Sequence, residues 1–485
     1  MSSHYYVACD LGMEDGRVTL GTLDKGKLTV SEVRRFSTLP VKEKDSVLWD
    51  VPQVYREILA GLREISAYEE PLDGISCSAW TADYLLFEQD GSLITPTQHQ
   101  SDPRAERART SSKIPWEAVY EETGMQTVGG NMASQLAAEK QRRLVRASHL
   151  MPIADGFNYL LSGIPRAELS LASLTQLFNP TTQTWSERLL KENGLPSEIF
   201  PPLVTSGTKL GPLRADVARE TGIEESNVIA SCSHELAAAL MGLPVDQDEI
   251  WAYLKLGNDA TLGTELVRPI ITDQSRDVGF NNQLVHGGAV NFHKHTVGFW
   301  ILEECKRFWK TKDRDLDDDI LKHLATSSAP FESLIDPDDP QFRTPGDMPL
   351  KIQAYCKQTH QPVPRKPGPV IRCVLESLAL HYRRTFMELE SLTGREFARV
   401  YLLGGSTNSL LNHFTANALQ VPVVTVSGDS VAIGNTVVQA LALGHIKSLQ
   451  QAREIVRHAV KTETITPHAA VWNAAYDRLS ELAPP

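Results

Sequence analysis

The fold is decided by a stretch near the start of the chain, HYYVACDLGMEDGRVTLGTL at residues 4–23. An apolar run leads to a turn at Gly12, and a second run alternates apolar and polar residues, which is typical of a β-hairpin. A similar stretch, IWAYLKLGNDATLGTEL, occurs at residues 250–266 with Gly257 at its turn. Because the two hairpins lie about half the chain apart, the sequence predicts two domains of related topology facing each other across a cleft.

The composition is that of an ordinary globular protein. The chain has 485 residues, of which 41 % are hydrophobic and 22 % are charged. These values exclude disordered, collagen-like and membrane-spanning chains, and the length suits two or three domains. The 48 Lys and Arg residues against 60 Asp and Glu residues give a net charge of −12. Because nucleic acids and anionic membranes attract cationic surfaces, we expect neither as a partner.

The sequence carries no recognisable targeting segment. Its first residues, MSSHYYVACDLG, lack the cationic and apolar parts of a secretory signal, and no run approaches the ~18 apolar residues of a membrane span. The six cysteines are scattered singly, without a CxxC pair. We therefore expect a reduced, cytoplasmic protein, and the sequence leaves a monomer and a homodimer equally open.

Strands and helices alternate between and after the hairpins. Apolar runs predict strands at 71–80, 83–88 and 398–405, and apolar residues at helical spacing predict helices at 52–66, 132–148, 370–394 and 408–419. A strand, a glycine turn and a helix follow one another from residue 398 onwards. This order places helix N-terminal amides where a phosphate or a nucleotide can bind.

The turn of the first hairpin, DLGMEDGR at residues 10–17, carries groups that phosphoryl transfer uses. A carboxylate can hold Mg²⁺, backbone amides at a tight turn can bind phosphate, and a cation can neutralise the migrating group. Asp10, Gly12 and Arg17 supply these three types. From this segment alone, an ordinary hairpin with an acidic surface turn is the favoured interpretation.

Longer segments are more specific. They are SAWTADYLLFEQDGSLITPTQHQSDPR (78–104), LASLTQLFNPTTQTWSERLLKENGLPSEIFPPLVTSGTKLGPL (171–213), SHELAAAL (233–240) and YLLGGSTNSLLNHFTANALQVPV (401–423) followed by GN (434–435). Together they resemble the FGGY family of carbohydrate kinases, most closely its rhamnulokinase-like branch. The resemblance implies an α/β fold of two actin-like, ribonuclease-H-like domains with a central cleft, which we place at 1–245 and 246–485. It also implies a kinase that uses ATP and Mg²⁺ to phosphorylate a small-molecule sugar.

The resemblance also implies roles for individual residues. Glu235 stands where the family has the carboxylate that accepts the proton of the sugar hydroxyl, and Asp10 is expected near Mg²⁺. The residues implied around the sugar are Trp80, Thr81, Asp83, Asp102, Arg104, His234 and His295. The residues implied around the nucleotide are Gly12, Arg17, Gly257, Asn258, Glu303, Gly404, Gly405 and Ser406.

The chain departs from the family pattern where chemistry is expected. The family residue at Glu235 is Asp, and a base displaced by about 1 Å can cost on the order of 10²-fold in rate. Glu14 and Asp15 stand where the family presents small hydroxyl residues to the phosphates. A carboxylate about 4 Å from a phosphate charge is unfavourable by about 4 kcal/mol at an effective dielectric constant near 20. A second divalent ion bridging acid and phosphate, or side chains that point to solvent, would remove this cost.

Further departures leave the substrate open. Thr81 replaces a substrate-facing glycine, His295 an asparagine that touches the sugar, and Glu303 a nucleotide-contacting glutamine. His293 and His295 share one strand face, which would also suit a metal pair, but no third ligand is close in sequence. The leading hypothesis is a kinase for a ketose or related polyol. The alternative is a catalytically impaired sugar-binding or regulatory protein on the same scaffold.

Overall fold

The computed structural model describes residues 3–68, 70–126, 130–246, 248–312, 316–404, 408–468 and 471–482. Strands and helices alternate through these ranges, which confirms the predicted α/β class. The strands are β1 His4–Leu11, β2 Asp15–Asp24, β3 Lys27–Ser37, β4 Val41–Glu43, β5 Ser46–Trp49, β6 Leu72–Ala79, β7 Tyr84–Phe87, β8 Thr97–Gln98, β9 His149–Pro152, β10 Ala167–Glu168, β11 Phe178–Asn179, β12 Thr184–Trp185, β13 Leu203–Val204, β14 Thr208–Pro212, β15 Asn227–Ala230, β16 Trp251–Leu256, β17 Asp259–Leu266, β18 Asn281–Leu284, β19 Val290–Val297, β20 Arg399–Leu403, β21 Val423–Ser427 and β22 Lys461–Ile465.

The helices lie between these strands and after them. The α-helices are α1 Val51–Ser66, α2 Pro103–Ser111, α3 Trp116–Thr123, α4 Met132–Ala137, α5 Gln141–Arg146, α6 Ile153–Ser162, α7 Leu169–Ala172, α8 Glu187–Glu192, α9 Ala215–Thr221, α10 Glu235–Met241, α11 Asp273–Val278, α12 Trp300–Lys310, α13 Asp318–Thr326, α14 Met348–Gln358, α15 Pro367–Thr393, α16 Ser409–Leu419, α17 Ser430–Ala442, α18 Leu449–Ala459 and α19 Val471–Leu482. Short 3₁₀ helices lie at Ser197–Ile199, His286–Gly288 and Pro340–Arg343.

The first large sheet is built on the first predicted hairpin. Its strand order is β14-β15-β6-β1-β2-β3. β1 and β2 pair antiparallel, with Asp10 opposite Arg17, and β1 and β6 pair parallel, with Asp10 opposite Ser78. β15 also runs parallel to β6. The central strands of this sheet therefore end at the same edge.

The second large sheet contains the second predicted hairpin. Its strand order is β18-β19-β17-β16-β20-β21-β22. β16 pairs antiparallel with β17 and parallel with β20, so that Lys255 lies opposite Leu403. The two hairpins therefore occupy the same place in two sheets, as the repeat in the sequence predicted.

Helix α1 shows how local sequence and packing position the first sheet. The side chain of Asp50 accepts the backbone N–H of Gln53 and so begins the helix, which a proline in the first turn also favours. Its apolar face is buried against the sheet in one hydrophobic core that includes Ile58 and Leu62. At Gly61 a Cβ atom would lie 2.7 Å from a methyl group of Val18. Only glycine therefore allows the helix this close to β2.

Helices α10 and α17 also pack through glycines. A Cβ atom at Gly434 would lie 1.8 Å from the carbonyl oxygen of Ala238, and one at Gly242 would lie 2.2 Å from that of Ser430. On the sheet side, the Gln439 Nε2 atom of α17 donates to the carbonyl oxygen of Val7, at 2.9 Å. Gly434 and Gly242 thus allow α10, which begins at Glu235, to pack closely on α17, and Gln439 joins α17 to β1.

Most of the predicted elements are confirmed, and one is wrong. The strands at 71–80, 83–88 and 398–405 and the helices at 52–66, 370–394 and 408–419 correspond to β6, β7, β20, α1, α15 and α16. The single helix expected at 132–148 is instead two short helices, α4 and α5. The chain leaves the helical conformation at Lys140, where ψ is 123°. The buried carboxylate of Glu139 accepts a hydrogen bond from the Tyr84 hydroxyl, at 2.8 Å, beside this break.

The contacts within the chain divide it into two compact units. The first unit comprises Met1–Gln247, Glu265–Phe292 and Gly428–Lys461, and the second comprises Asp248–Thr264, His293–Ser427 and Thr462–Pro485. The functional domains at 1–245 and 246–485 stay a prediction. Among the helices of the described ranges, none combines the length and the apolar composition that crossing a membrane requires.

Candidate active site

Three neighbouring strands of the first unit end side by side. Leu11, at the end of β1, lies opposite Ala79, at the end of β6, and Ala79 forms a parallel bridge with His234. The residues that follow these strand ends are therefore brought together. Ligands of α/β sheets commonly bind at the carboxyl ends of parallel strands. The sequence-predicted residues Gly12, Trp80 and His234 all lie at this edge.

Asp10 forms the centre of a charged cluster at the end of β1. The Arg17 guanidinium donates hydrogen bonds to Asp10 Oδ2 and to Asp429 Oδ2, the latter at 2.7 Å. Asp10 is buried, and its Oδ1 atom accepts no hydrogen bond from the described residues. Burial, followed by the negative charge of Glu235, raises the pKa of Asp10 to about 7, although Arg17 opposes this shift.

This cluster fits a divalent cation. It combines the carboxylates of Asp10 and Asp429 and the nearby charge of Glu235 with one guanidinium, Arg17. Carboxylate oxygens are the ligands that Mg²⁺ prefers in proteins. The Asp10 Oδ1 atom is the orphaned buried oxygen that such an ion would satisfy. The sequence-predicted residues Asp10 and Arg17 are thus joined by Asp429, which lies 412 positions beyond Arg17 in the chain.

A network of buried side chains holds the loop that leads to Glu235. The backbone N–H of Ser233 donates to Glu168 Oε2 at 2.9 Å, and the Ser233 hydroxyl donates to Asp155 Oδ1 at 2.6 Å. Both carboxyls are buried, which raises the pKa of each. The next residue, His234, lies with Nδ1 2.7 Å from Gln283 Nε2. Glu235 then begins α10 as a half-buried side chain whose position is set by this loop.

Asp83 lies at the centre of an aromatic pocket. The indole N–H groups of Trp49 and Trp80 both donate to Asp83 Oδ2, at 2.8 and 2.7 Å, and Gln135 Nε2 donates to Oδ1 at 3.0 Å. The two indole rings stack with centroids 4.2 Å apart. Asp83 is fully buried, and burial raises its pKa to about 6 against the effect of these hydrogen bonds. Its role in this arrangement is to orient the two indoles.

Thr81 lies between this pocket and a strained residue. Its side chain is half-buried, and Trp80 precedes it at the end of β6. The next residue, Ala82, has a φ of 80°, which a residue with a side chain rarely adopts. The Ala82 carbonyl accepts a hydrogen bond from Gln135 Nε2 at 2.8 Å. Strain of this kind is common where a protein positions functional groups.

Asp102 and Arg104 have partners within the protein. Asp102 Oδ1 accepts the backbone N–H of Arg104 and begins α2, and Oδ2 accepts the backbone N–H of Val47, both at 3.0 Å. The Arg104 guanidinium lies 3.4 Å from the Tyr84 hydroxyl and 3.4 Å from Glu139 Oε2. Both side chains therefore brace the segments that carry the aromatic pocket.

The first hairpin turn is tight, and its acidic charge is partly neutralised. The backbone N–H of Gly12 donates to the carbonyl of Asp15 at 2.9 Å, and a Cβ atom at Gly12 would lie 2.8 Å from that oxygen. The Asp15 carboxylate forms an ion pair with Arg35. Glu14 is exposed, and only its backbone carbonyl takes part in the turn, accepting the N–H of Thr38 at 3.1 Å. The turn is therefore less acidic than its sequence suggests.

The second unit has a comparable pair of strand ends. Gly257 and Gly404 follow the parallel strands β16 and β20. Gly404 has a φ of 73°, and a Cβ atom there would lie 2.5 Å from the carbonyl oxygen of Leu256. The carbonyls of Gly257 and Asn258 accept the backbone N–H groups of Phe299 and Trp300, at 2.7 and 3.1 Å, just before and at the start of α12. Gly405 and Ser406, also predicted at the nucleotide, lie outside the described residues.

His295 and Glu303 belong to the second unit and lie on different elements. His295 Nδ1 is 3.0 Å from the Thr261 hydroxyl, and His295 and Asp259 line a cavity of about 440 Å³ within this unit. Glu303 accepts a hydrogen bond from Lys306 Nζ at 3.0 Å on the surface of α12. The His293 and His295 rings lie with centroids 5.0 Å apart. In the described part of the chain, this pair belongs to no group of three side chains spaced to bind one metal ion.

The structure adds residues that sequence reasoning missed. Trp49, Gln135, Asp429 and Gln283 contact predicted site residues but lie far from them in sequence. Of these four residues, only Asp429 lies in a recognisable local pattern, because an Asp before SVAIGN is a typical helix N-cap. The other three lie in segments whose composition does not distinguish a site residue from a core residue.

Comparison with protein families gives two successive matches. Residues 5–242 match the FGGY family of carbohydrate kinases, N-terminal domain, and residues 252–443 match its C-terminal domain. A protein named rhamnulokinase from Bacteroides thetaiotaomicron is 34 % identical over 478 residues, which cover 97 % of this chain and 98 % of that protein. A rhamnulokinase from Enterococcus faecalis is 32 % identical over 464 residues, covering 94 % and 93 %.

Solved structures show the same fold. A xylulose kinase from Lactobacillus acidophilus aligns with a TM-score of 0.83 at 14 % identity, over 99 % of this chain and 97 % of that one. A gluconate kinase from the same organism aligns with a TM-score of 0.84 at 15 % identity, over 99 % and 98 %. At these identities the likeness concerns the fold alone. It confirms the predicted actin-like α/β fold.

Proposed function

The chain belongs to the FGGY family of carbohydrate kinases, and from this we propose that it transfers the γ-phosphate of ATP to a hydroxyl of a ketose or related sugar. The observation that carries the proposal is the charged cluster of Asp10, Arg17 and Asp429 at the end of β1. Glu235, at the start of α10, is close enough for its negative charge to contribute to the raised pKa of Asp10. Phosphoryl transfer needs both a proton acceptor and a counter-charge for the phosphates.

Glu235 is the proposed general base. It would accept the proton of the sugar hydroxyl as the hydroxyl oxygen attacks the γ-phosphorus. The buried network at Glu168, Asp155 and Ser233 supports this role, because it holds the preceding loop to fixed partners.

Asp10 and Asp429 would hold Mg²⁺, and Arg17 forms ion pairs with both carboxylates. A bound Mg²⁺ supplies positive charge to the phosphates during transfer. The orphaned Oδ1 atom of Asp10 supports this assignment, since a buried carboxylate oxygen without a donor favours a cation. Arg17 then has two functions, because it orients both carboxylates and contributes a further positive charge.

The remaining predicted residues fall into a sugar set and a nucleotide set. We propose that Trp80, Thr81 and His234 face the sugar in the first unit, with Asp83 orienting Trp80 and with Asp102 and Arg104 bracing the pocket. His295 also stays a proposed sugar-binding residue. The proposed nucleotide residues are Gly12, Arg17, Gly257, Asn258, Glu303, Gly404, Gly405 and Ser406.

The relatives guide the choice of substrate. Because the curated relatives are named rhamnulokinases, rhamnulose is the first sugar to test on this chain. Use of ATP and a metabolic sugar favours a cytoplasmic location. The alternative of a catalytically impaired scaffold is not favoured, because neither the described residues nor the comparisons show a loss of catalysis.

The proposal is tested by measuring ADP release with rhamnulose and a panel of other ketoses and polyols. Glu235→Gln should lower kcat by at least about 10²-fold with at least one sugar, which is the lower range for loss of a general base, whereas Glu235→Asp should keep measurable activity. Glu57→Gln is the matched control, because Glu57 is a partly exposed, ion-paired acid of α1. Full activity of Glu235→Gln, or no ADP release by the folded wild type with any sugar, would refute the proposal.

A further inference from the structure

A second group of metal-ligand side chains lies at the other end of β1. His4 is the first residue of β1, Asp73 is the second residue of β6, and His445 follows α17. Each offers a ligand atom, and these atoms all lie within 4.8 Å of one another. Along β1, His4 lies six residues before Asp10, which is roughly 20 Å in an extended strand. The group is therefore separate from the candidate active site.

We propose that His4, Asp73 and His445 bind a divalent transition-metal ion of the zinc class. Imidazole nitrogens suit Zn²⁺, Ni²⁺, Co²⁺ and Cu²⁺, whereas Mg²⁺ and Ca²⁺ prefer sites made of oxygen atoms alone. Three protein ligands of this kind leave one position for water, as in many zinc sites. The chemistry of this group thus differs from that of the carboxylate cluster at Asp10.

The contacts bring both imidazoles to one carboxylate. His4 Nδ1 lies 3.3 Å from Asp73 Oδ2, and His445 Nε2 lies 3.9 Å from Asp73 Oδ1. The two imidazole rings stack almost in parallel, with centroids 3.6 Å apart and an angle of 16° between their planes. A nitrogen of each ring therefore faces the same carboxylate, with the two rings side by side.

Neighbouring groups orient two of the three ligands. The Tyr6 hydroxyl lies 2.6 Å from His445 Nδ1, so Nε2 is the nitrogen left to face Asp73. Contacts of this type fix the ring orientation of metal-binding histidines. Asp73 Oδ2 accepts the backbone N–H of Tyr5 at 2.9 Å.

The backbone is irregular at the carboxylate ligand itself. Tyr5 pairs with Leu72 and Tyr6 pairs with Gly74, so Asp73 is the extra residue of a β-bulge between β1 and β6. Bulges redirect a side chain and are frequent beside functional sites. The bulge gives Asp73 an orientation toward the two histidines that a regular strand would not give it.

An ion can reach this group directly from solvent. The exposed fractions of the side chains are 26 % for His4, 27 % for Asp73 and 21 % for His445. Once bound, the ion would join the first strand to a segment more than 400 residues later, because His4 and His445 are 441 positions apart. Binding to the folded chain alone would stabilise it against unfolding.

The test is a titration of tag-free, EDTA-treated and dialysed protein with Zn²⁺. Millimolar Mg²⁺ is present throughout to occupy the carboxylate cluster at Asp10. We expect one equivalent of Zn²⁺ to bind, a visible absorption band with Co²⁺, and a higher melting temperature. His445→Gln and Asp73→Asn should each weaken Zn²⁺ binding at least tenfold, whereas His413→Gln, which alters an exposed histidine elsewhere, should not.

Two further variants keep the proposal falsifiable if Asp73→Asn fails to fold. His4→Gln changes the first residue of a strand and should also weaken Zn²⁺ binding at least tenfold. Tyr6→Phe should weaken binding by about tenfold while the Co²⁺ band is retained, because Tyr6 orients a ligand without being one. Absence of stoichiometric Zn²⁺ binding by the wild type, or equal binding by His445→Gln and His413→Gln, would overturn the proposal and leave an ion-paired cluster without metal.

Discussion

The buried carboxyl of Asp83 predicts a loss of stability with rising pH that Asp83→Asn should remove. Burial raises the pKa of Asp83 in the folded protein to about 6, from its ordinary value of 3.8. A raised carboxyl pKa means that the folded chain holds this proton more tightly than the unfolded chain does. The resulting stabilisation is complete below about pH 3.8 and is lost as the pH rises through about 6.

The size of this effect follows from the shift in pKa. A change in pKa from 3.8 to about 6 corresponds to about 3 kcal/mol of folding free energy, at about 1.4 kcal/mol for each factor of ten in the proton affinity. Between about pH 5 and pH 7.5, the wild type should lose about 1 to 2 kcal/mol relative to Asp83→Asn, which does not titrate. Asp83→Asn also lowers the free energy of unfolding by an amount that does not depend on pH. Its amide N–H groups lie near the N–H donors of Trp49, Trp80 or Gln135, where an acceptor is needed.

The assay is urea unfolding followed by tryptophan fluorescence at several pH values. The exposed residue Asp45 provides the control, and Asp45→Asn should follow the wild type at every pH. Trp49→Phe removes one of the two indole donors to Asp83 Oδ2, so it should move the loss of stability to higher pH. Parallel curves for the wild type and Asp83→Asn across this range would refute the argument from burial.

Three other perturbations test the strand ends and the loop before α10. Gly404→Ala should destabilise the second unit by about 1 to 3 kcal/mol in urea unfolding. The added methyl group would collide with the carbonyl oxygen of Leu256, and the backbone at this position has a positive φ. An unchanged unfolding midpoint would contradict this. Glu168→Leu removes the acceptor of buried backbone N–H groups, that of Ser233 among them. It should lower the free energy of unfolding by about 2 to 6 kcal/mol and also lower kcat. A variant as stable as the wild type would show that the network is not needed. Millimolar Mg²⁺ should raise the melting temperature of the wild type, and this rise should grow toward pH 7 as Asp10 ionises. Asp10→Asn should abolish the rise. An equal rise in both proteins would show that the ion binds elsewhere.

The fold could be predicted where local sequence and long-range packing agree. Helix α1 has both a capping Asp50 and an apolar face, and the prediction for it was within one residue at its start. The helix predicted over 132–148 failed because apolar spacing continues across a break in the backbone. Glu139 and its partners Tyr84 and Arg104 stabilise that break, and these lie more than 30 residues earlier in the chain. The spacing of apolar residues indicates which residues are buried, but it does not indicate whether the helix between two buried residues is continuous.

The candidate site could be predicted only as a set of residue types. The motifs located Asp10 and Asp83, but their environments come from Asp429 and Trp49, which no local pattern connects to them. Both carboxyls have a raised pKa because the fold buries them, and burial at one atom is not readable from a sequence. The same holds for Asp73, whose orientation depends on a bulge between two strands.

The ion pair at Asp15 alters the electrostatic argument about the first hairpin. Taken from the sequence, an uncompensated carboxylate there opposes a nearby phosphate by about 4 kcal/mol. The Arg35 guanidinium forms ion pairs with both that carboxylate and Glu32, so it offsets part of the negative charge at the turn. Glu14 is exposed, where solvent and salt screen its charge. Arg35→Gln should therefore raise the KM for ATP more than Asp15→Asn lowers it, because Arg35→Gln leaves both Asp15 and Glu32 without their cation, whereas Asp15→Asn leaves Arg35 paired with Glu32.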